Sequence, residues 1–391
     1  MISTSSSYQA FSALKRLCGI LPLCISIKGA ADSGNHRQEV QYVTLFQMKF
    51  IVPLHLFPHK FSLKSGVHNA TLLRLTIGII TASLLGGCAG VQSTFSTFGV
   101  EAEATRKLIV VMVVAGVLIT VGVGWLAIHA VRAPPGRLDH ASGTRVILWL
   151  GAIGPTVLLA GLLAASLPMM KTLPVGADDL EIAVDGKQFW WRVRYLLPDG
   201  QATETANEIR IPVGRTVSFT LTSSDVLHSF WIPGLAGKVD MIPGRRNKLV
   251  VHATKAGTYR GVCAEFCGLS HARMAFDVIA MQPADFDQWL ANVAGHAAAV
   301  SGPGHQLFED YGCNGCHAVR GHFTISSIGP DLTHFGSRLS LAAGALPMTV
   351  STIKNFIRNP AIAKPGALMP AFESMPTEDA DAIATYLMEL K

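Results

Sequence analysis

The sequence predicts a membrane protein of three structural parts: a two-helix transmembrane hairpin, an all-β sandwich domain and a small all-α domain. Three observations predict it. Two long stretches carry no charge, short β-branched and aromatic runs follow them, and the C-terminal part has helical patterns around a Cys-x-x-Cys-His motif. Charged residues make up 15% of the chain, against a usual value of about 25%. A net charge of +6 without a basic block argues against nucleic-acid binding.

Residues 1–87 are interpreted as a leader or signal segment that is removed. From Asn69 onward, one arginine precedes an apolar run of signal-peptide length. The run ends in Leu85-Gly86-Gly87-Cys88, which looks like a bacterial lipobox and predicts lipidation of Cys88. The alternative is a plain apolar signal that ends at a cysteine by coincidence. Met48 is an alternative start within this stretch.

Residues 88–175 are predicted to hold the transmembrane hairpin, with spans at about 108–131 and 146–170. Each uncharged run exceeds the ~20 residues that a helix needs to cross the hydrocarbon layer. Three arginines flank or occupy the short loop between the spans. By the positive-inside rule this loop is cytoplasmic, so everything after about residue 175 is expected on the periplasmic side.

Residues 176–285 are predicted to form the all-β domain. The runs LEIAV, FWWRVRYL, EIRIPV, TVSFTLT, KLVVHAT, GTYRGVC and AFDVIAM are short, rich in β-branched and aromatic residues, and separated by turn sequences such as PDG and PGR. Strands at this spacing favour an antiparallel sandwich or barrel.

A group of sulfur and imidazole side chains lies at the end of this domain. The segment Cys263-Ala-Glu-Phe-Cys267-Gly-Leu-Ser-His271-Ala-Arg-Met274 holds four of them, and His228 precedes it. Soft sulfur together with imidazole selects copper, zinc or iron–sulfur. A mononuclear blue-copper site has one cysteine, so two bridging thiolates, two histidines and two weak ligands suit two copper ions better. A disulfide between the two cysteines and a zinc site remain alternatives.

A short helical stretch, PADFDQWLANVAGH, is predicted from Pro283. It runs into a linker assigned to 286–302, rich in small residues toward its end, which leads into the C-terminal domain, 303–391. A helix predicted over 304–311 runs into Cys313-Asn-Gly-Cys316-His317, the attachment motif of c-type haem. In this interpretation the two cysteines form thioethers and His317 is the proximal iron ligand. A thioredoxin-like redox pair is the alternative, but it does not need the histidine that follows.

Four methionines are candidates for the second axial ligand of the haem iron: Met348, Met369, Met375 and Met388. Met369 lies in a Pro/Gly loop and is the preferred candidate. Met348 comes early in the chain, and Met388 falls in a helix predicted over 378–390, where a core position is expected. Histidine–methionine ligation raises the iron potential, which suits one-electron exchange.

The segments CAEFCGLSHARM and LHSFWIPGLAGKVDMIPGRRN, together with the preceding hairpin, resemble subunit II of haem–copper cytochrome c oxidases over roughly residues 100–285. The resemblance implies a cupredoxin-like sandwich that holds the dinuclear copper A centre. Its implied ligands are the bridging Cys263 and Cys267, the terminal His228 and His271, the Met274 thioether and the Glu265 backbone carbonyl. The Glu265 side chain is implied to reach a magnesium ion at the interface with subunit I.

Residues 303–391 resemble a class I cytochrome c. In that family a Gly-Pro-x-Leu turn, matched by Gly329-Pro330-Asp331-Leu332, has its proline carbonyl accept from the proximal histidine. The oxidase family also carries Gln-Trp-Tyr-Trp where electrons come in from a cytochrome. Here the sequence is Gln188-Phe189-Trp190-Trp191, so Phe189, Trp190 and Trp191 are the electron-transfer candidates. The change at Phe189 argues against the usual docking of a diffusing cytochrome.

The combination resembles subunit II of caa-type bacterial oxidases. It implies the electron-input subunit of a respiratory oxidase, passing electrons through covalent haem c to copper A, then to haem a and copper B of subunit I for proton-pumping oxygen reduction. Implied partners are subunits I and III, an upstream cytochrome c or cytochrome bc complex, and membrane lipid. The implied location is the bacterial inner membrane, with both domains in the periplasm. Alternatives are a subunit of a nitric oxide reductase and a stand-alone membrane-bound electron carrier.

Overall fold

The structure, a computed structural model, describes residues 90, 92–134, 136, 140–170, 174, 176, 179–197, 200–298, 300–323, 326 and 328–391. These residues all belong to one compact unit. The predicted leader, Met48 and the predicted lipidation site Cys88 lie outside the described residues, so these expectations stay predictions.

Two helices are long and apolar enough to cross a membrane: α1 (Val100–Arg132) and α2 (Ala141–Met170). α2 contains a π-helical stretch, Ile147–Ile153. Apolar side chains on both helices are exposed on all sides, which in water would be unfavourable but suits a lipid environment. The predicted spans 108–131 and 146–170 lie within these helices.

α1 starts earlier than the predicted span because its first turn is anchored to the β domain. The amides of Phe98 and Gly99 both donate to the carbonyl of Gly234, at 2.8 and 3.1 Å. The Phe98 ring stacks on Tyr259 with 3.4 Å between centroids. A side chain at Gly99 would collide with the Leu235 carbonyl, since a Cβ there would lie 2.2 Å from its oxygen. The hairpin and the sandwich are therefore joined by a close backbone contact.

The β domain is a sandwich of two five-stranded sheets. One has the order β3-β2-β1-β5-β8 and the other the order β4-β10-β9-β6-β7. The strands are β1 (Leu180–Lys187), β2 (Trp190–Leu196), β3 (Ala202–Ala206), β4 (Glu208–Pro212), β5 (Thr216–Ser223), β6 (His228–Trp231), β7 (Val239–Met241), β8 (Asn247–His252), β9 (Gly257–Cys263) and β10 (Ala275–Met281).

The sandwich is mixed, which corrects the expectation of purely antiparallel sheets. β1 pairs with β5, and β4 with β10, in parallel. The reason is the chain path: after β3 the chain crosses to the other sheet as β4, then returns as β5 on the far side of β1. The seven predicted strands are all present, whereas the short β3, β6 and β7 were not predicted.

Aromatic side chains fill the space between the two sheets. Trp191 packs edge-on against Phe230 and Phe276, with centroids 5.8 and 5.1 Å apart. The same buried cluster includes Cys263, Cys267 and Met274. The predicted metal ligands Cys263, Cys267 and Met274 therefore lie at one end of the hydrophobic core, where packing restrains their positions.

Helix α3 (Pro283–Ala294) follows the sandwich and packs on it. Phe286 is fully buried in the sandwich core, and the Arg215 guanidinium pairs with Asp287 at 3.1 Å. The helical stretch predicted from Pro283 is therefore confirmed. Its second part, residues 286–294, falls in the range assigned to the linker but packs on the β domain.

The C-terminal domain is helical, as predicted. It comprises α4 (Pro303–Asp310), the short pair β11 (Ser340–Leu341) and β12 (Leu346–Pro347), then α5 (Val350–Arg358), α6 (Pro360–Ala363) and α7 (Thr377–Glu389). α4 and α7 match the helices predicted over 304–311 and 378–390. α5 was not predicted, although its Thr349–Thr352 capping box is readable in the sequence.

Candidate metal and haem sites

Strand pairing places the first metal-ligand candidates side by side. β6 pairs with β9 so that Phe230 lies opposite Cys263. The start of β6, His228, is thereby brought to the end of β9, and His228 Nδ1 lies 3.8 Å from Cys263 Sγ. A side chain at Gly186 would press on this imidazole, since a Cβ there would lie 2.9 Å from His228 Cδ2.

The loop after β9 folds back over Cys263 and supplies the remaining candidates. Cys267 Sγ lies 3.8 Å from each of three atoms: Cys263 Sγ, His271 Nδ1 and Met274 Sδ. The carbonyl oxygen of Glu265 lies 3.2 Å from Cys263 Sγ. All six residues expected around the centre are thus brought together, including the backbone carbonyl.

The donor set fits a dinuclear copper centre. The ligand atoms of His228, Cys263 and Cys267 lie within 4.8 Å of one another, and both thiols are free. A hydrogen bond from the Cys267 thiol holds the pKa of Cys263 well below its usual value and raises the pKa of Cys267. One sulfur is therefore ready to bind metal as thiolate, and the second loses its proton on binding.

Asp225 orients the histidine ligand and was not singled out from the sequence. Its Oδ1 lies 2.8 Å from His228 Nε2, and its Oδ2 accepts the backbone amide of Gln188 at 2.7 Å. With Nε2 paired to the carboxylate, Nδ1 is the nitrogen that faces the sulfurs. The Ser-Ser-Asp turn just before His228 was the available signal.

The haem attachment motif follows α4 through a left-handed Gly312, with φ of 72°. Cys313–Gly315 form one 3-10 turn, and His317 Nδ1 donates to the carbonyl of Pro330 at 2.8 Å. This is the hydrogen bond that the cytochrome c resemblance implies. Gly329 lies against the imidazole, where a Cβ would come within 2.6 Å of His317 Cε1.

A cavity of about 630 Å³ opens beside this motif and is lined by Cys313, Cys316 and His317. Among the described residues, Met369 is the methionine that lines it, whereas Met375 is 3% exposed and belongs to the helical core. Burial lowers the pKa of His317, so its imidazole is neutral at neutral pH and can act as a ligand.

Arg338 gives a second indication that the cavity fits a haem. It lines the cavity, and one of its amino groups donates to the Asp331 carbonyl. Its Nε is buried without a hydrogen-bond partner among the described residues. A buried guanidinium with a spare donor suits one of the carboxylates that a haem carries. Sequence reasoning did not single out Arg338.

The three aromatic electron-transfer candidates take different positions. Phe189 and Trp190 line the haem cavity, although they belong to the β domain. Phe189 is 5% exposed. Its ring lies between the loop that joins β9 to β10 (residues 264–274, the copper loop) and the loop around Met369 (residues 365–370, the Met369 loop). A Cβ added at Gly268 or at Gly366 would lie 3.1 or 3.3 Å from the ring. Trp191 lies instead in the sandwich core, 6.1 Å from the His228 ring.

One further contact joins this segment to the copper loop. The Gln188 side-chain amide donates to the carbonyl of Cys267 at 2.5 Å. The segment 188–190 therefore contacts the metal site on one side and forms a wall of the haem cavity on the other.

Comparisons with known proteins agree with this arrangement. Residues 180–281 match the family model of the periplasmic domain of cytochrome c oxidase subunit II, and residues 301–391 match the cytochrome c model. The chain is 40% identical to cytochrome c oxidase subunit 2 of Alkalihalophilus pseudofirmus, over 56% of this chain and 63% of that one. It is 31% identical to cytochrome c oxidase subunit 2 of Bacillus subtilis, over 63% and 72% of the two chains.

One solved structure is the periplasmic domain of subunit II of the cytochrome oxidase of Bradyrhizobium japonicum. It is 31% identical, covers 31% of this chain and 96% of that one, and has a TM-score of 0.29. A haem–copper terminal oxidase dimer is 23% identical, covers 36% of this chain and 99% of that one, and has a TM-score of 0.26.

A sandwich with a sulfur–imidazole cluster whose donors fit copper, fused to a cytochrome c domain and preceded by two apolar helices, is the architecture of a membrane-associated electron-transfer protein. Within that class, the chain belongs to the cytochrome c oxidase subunit II family, in a form with a cytochrome c domain at its C-terminal side.

Proposed function

We propose that this chain is the electron-input subunit of a respiratory cytochrome c oxidase. Electrons pass from the covalent haem c to the dinuclear copper A centre, and on to haem a and copper B in subunit I. There oxygen is reduced to water with coupled proton pumping. The relatives named above are oxidase subunits, which supports the placement in such a complex.

The observation that carries the proposal is the shared wall of the haem cavity. Phe189 and Trp190 of the β domain line the cavity that also holds Cys313, Cys316 and His317. The neighbouring Gln188 donates to the Cys267 carbonyl. A haem in this cavity would be separated from the copper loop by little more than the Phe189 side chain, which favours transfer within one chain.

The side chains have distinct roles. Cys263, Cys267, His228 and His271, with Met274 and the Glu265 carbonyl as weaker donors, would hold two coppers. Together with a haem, these metals would supply reversible one-electron exchange. Burial of the ligands in the sandwich core keeps their geometry nearly constant, so little rearrangement accompanies each electron.

The haem residues have matching roles. Cys313 and Cys316 would hold the group covalently, and Pro330 fixes the orientation of the His317 ring through the Nδ1 hydrogen bond. His317 and Met369 would be the iron ligands. The apolar lining of the cavity would keep water away from a bound haem.

The partner surface is proposed to lie at the copper loop. Phe266 and Leu269 are 75% and 80% exposed, next to Glu265. Apolar side chains this exposed favour a protein contact, and subunit I is the proposed occupant. The Glu265 carboxylate would then reach a magnesium ion at that interface. Subunit III, an upstream cytochrome c or cytochrome bc complex, and lipid complete the proposed environment.

The proposed location is the bacterial inner membrane, with two passes and both domains in the periplasm. The exposed apolar helices α1 and α2 support it. Lipidation at Cys88 would add an auxiliary anchor, because one acyl chain alone binds membranes weakly.

Spectroscopy of the purified full chain tests the assignment of both centres. We expect near-infrared absorption and a seven-line copper EPR signal, together with the absorption bands of a c-type haem. A single-copper signal would refute the dinuclear assignment. Co-purification of a twelve-helix haem protein that consumes oxygen supports the oxidase. A partner that reduces nitric oxide, or no partner, would instead support the two alternative functions.

A further inference from the structure

Lys364 is a lysine buried between the two domains. It follows α6 and precedes the Met369 loop, and it is 4% exposed. Its backbone amide donates to the Pro360 carbonyl at 2.8 Å and its carbonyl accepts from Ala367 at 3.0 Å. The backbone at Lys364 is therefore held in place, and the side chain points from a fixed base into the boundary between the domains.

The ammonium group bonds to two chain segments other than its own. Nζ donates to the carbonyl of Phe189, in the β domain, and to the carbonyl of Ala342 at 3.0 Å, in the β11–β12 turn. One cation thus joins the Met369 loop, the β11–β12 turn and the segment that separates the two redox sites. A lysine that only filled space in the helical core would not contact the β domain.

No carboxylate neutralises this lysine within the part of the chain that the structure describes. An unpaired buried ammonium is unfavourable unless carbonyl oxygens replace its lost water. Burial lowers the pKa of Lys364 to about 7, in line with this enclosure. If the domains separated, the amine would lose the Phe189 carbonyl and keep only the Ala342 carbonyl of its own domain.

Other bonds in the same boundary are made by the two loops that Lys364 connects. Ser270 Oγ donates to the Pro365 carbonyl at 2.8 Å, and the Ala275 amide donates to the Ala343 carbonyl at 3.0 Å. Pro365 directly follows Lys364, and Ala343 directly follows Ala342, whose carbonyl accepts from Lys364. The positions of these two acceptors therefore depend on the position of the Lys364 side chain.

We propose that Lys364 is a positioning residue that locks the cytochrome c domain onto the copper domain through the Phe189 carbonyl, while its bond to the Ala342 carbonyl holds the amine in place within its own domain. It keeps the Met369 loop against Phe189, and so keeps the two redox sites in one fixed arrangement rather than on a loose tether. The inference deepens the proposed function, because electron transfer within the chain depends on this docked arrangement.

The test uses the full-length protein loaded with copper and haem, as Lys364→Met and Lys364→Gln variants. Lys364→Met keeps the aliphatic stem and removes the donor, whereas the glutamine amide can still donate. Lys354→Met is the matched control, since Lys354 pairs with Asp381 within the helical domain. Hydrogen–deuterium exchange is followed in two peptides that contain Ala275 and Leu339, whose amides are bonded across the boundary, and that each begin at least two residues before these amides.

We expect exchange in these two peptides to be about tenfold faster in Lys364→Met, because the variant loses the one hydrogen bond that Lys364 makes across the boundary, to the Phe189 carbonyl. Lys364→Gln should fall between that variant and the parent, and Lys354→Met should match the parent. Exchange in β5, in the middle of its sheet, should stay unchanged, and haem-to-copper electron transfer should slow in Lys364→Met.

Unchanged exchange in the boundary peptides of Lys364→Met would overturn the proposal. So would loss of haem from both Lys364 variants, which would make Lys364 a folding residue of the cytochrome domain. Faster exchange in β5 as well would mean global destabilisation and would also count against it. Exchange is measured without turnover, so absence of oxidase activity would refute the proposed function without affecting this result.

Discussion

The Asp225 carboxylate contacts both the candidate copper ligand His228 and the segment that forms a wall of the haem cavity. One oxygen orients the His228 ligand and the other accepts the Gln188 amide. The histidine and the segment that forms the haem cavity wall are therefore positioned by the same side chain. Asp225 lies only three residues before His228, so that pair is local in sequence, whereas Gln188 lies 37 residues before Asp225 and only the fold brings the two together.

Replacing Met369 with alanine should remove the second axial ligand of the haem while leaving the covalent attachment intact. Loss of the thioether should lower the haem midpoint potential and abolish the sulfur–iron charge-transfer band, because methionine ligation raises the potential. Redox titration and absorption spectra of the variant provide the measurement.

Met348→Ala is the matched control, since Met348 does not line the cavity within the described part of the chain. Its potential and spectrum should equal those of the parent protein. A normal haem potential in Met369→Ala would reject Met369 as the ligand.

Copper uptake by the metal-free protein should strengthen as pH rises. The neighbouring thiolate of Cys263 raises the pKa of Cys267, so Cys267 stays protonated at neutral pH and releases its proton when copper binds. Raising pH removes that competing proton and so increases apparent affinity. Competitive copper titrations under reducing conditions at several pH values measure this, and an affinity independent of pH would contradict it.

At the scale of elements, the copper loop joins strands β9 and β10, so the packing of this strand pair holds both ends of the loop. Gly261 of β9 lies beneath the Phe276 ring of β10, and a Cβ there would come within 2.0 Å of it. We expect Gly261→Ala to lower the free energy of unfolding by about 1–3 kcal/mol, because a packed ring must move. Chemical denaturation monitored by tryptophan fluorescence measures the change.

The control for this prediction is Gly237→Ala, since a Cβ at Gly237 would meet no atom within 4 Å. Its stability should stay within about 0.5 kcal/mol of the parent protein. Equal stability of the two variants would show that the strand pair relaxes around the added methyl group.

Elements with strong local patterns were predictable, and short elements held by partners were not. The seven long strands and α4 and α7 carry their own alternation or helical period. β6 (His228–Trp231) and β7 (Val239–Met241) are only three to four residues long and depend on pairing with each other and β9. Their formation is a tertiary effect, yet β6 carries a metal ligand.

At the scale of the whole molecule, the boundary between the two domains is held mainly by backbone carbonyls. No ion pair joins residues 92–298 to residues 300–391 among the pairs that the structure describes. Glu208, which accepts the Leu339 amide across the boundary, is 6% exposed, and buried charges are little screened by salt.

Electron transfer from haem to copper within the chain should therefore change less than twofold between low salt and about 0.5 M salt. The haem is reduced by a flash, and its reoxidation by the copper centre is then followed. The rate of this reoxidation is the rate of electron transfer within the chain. Reduction of the haem by an external cytochrome serves as the comparison, since association between charged proteins weakens with salt. An intramolecular rate that falls as steeply as the external one would show that the domains dock through charge.

The sequence alone determined the three-part organisation, the copper and haem ligand candidates and the cytochrome c oxidase subunit II resemblance, because hydropathy, strand alternation and ligand spacing are local properties. The tertiary structure decided how the parts meet. The parallel β1–β5 pairing, the Gln188–Asp225 contact, the burial of Lys364 and the position of Phe189 between Gly268 and Gly366 all join distant residues. Such contacts depend on how packed surfaces fit, which no short sequence pattern records.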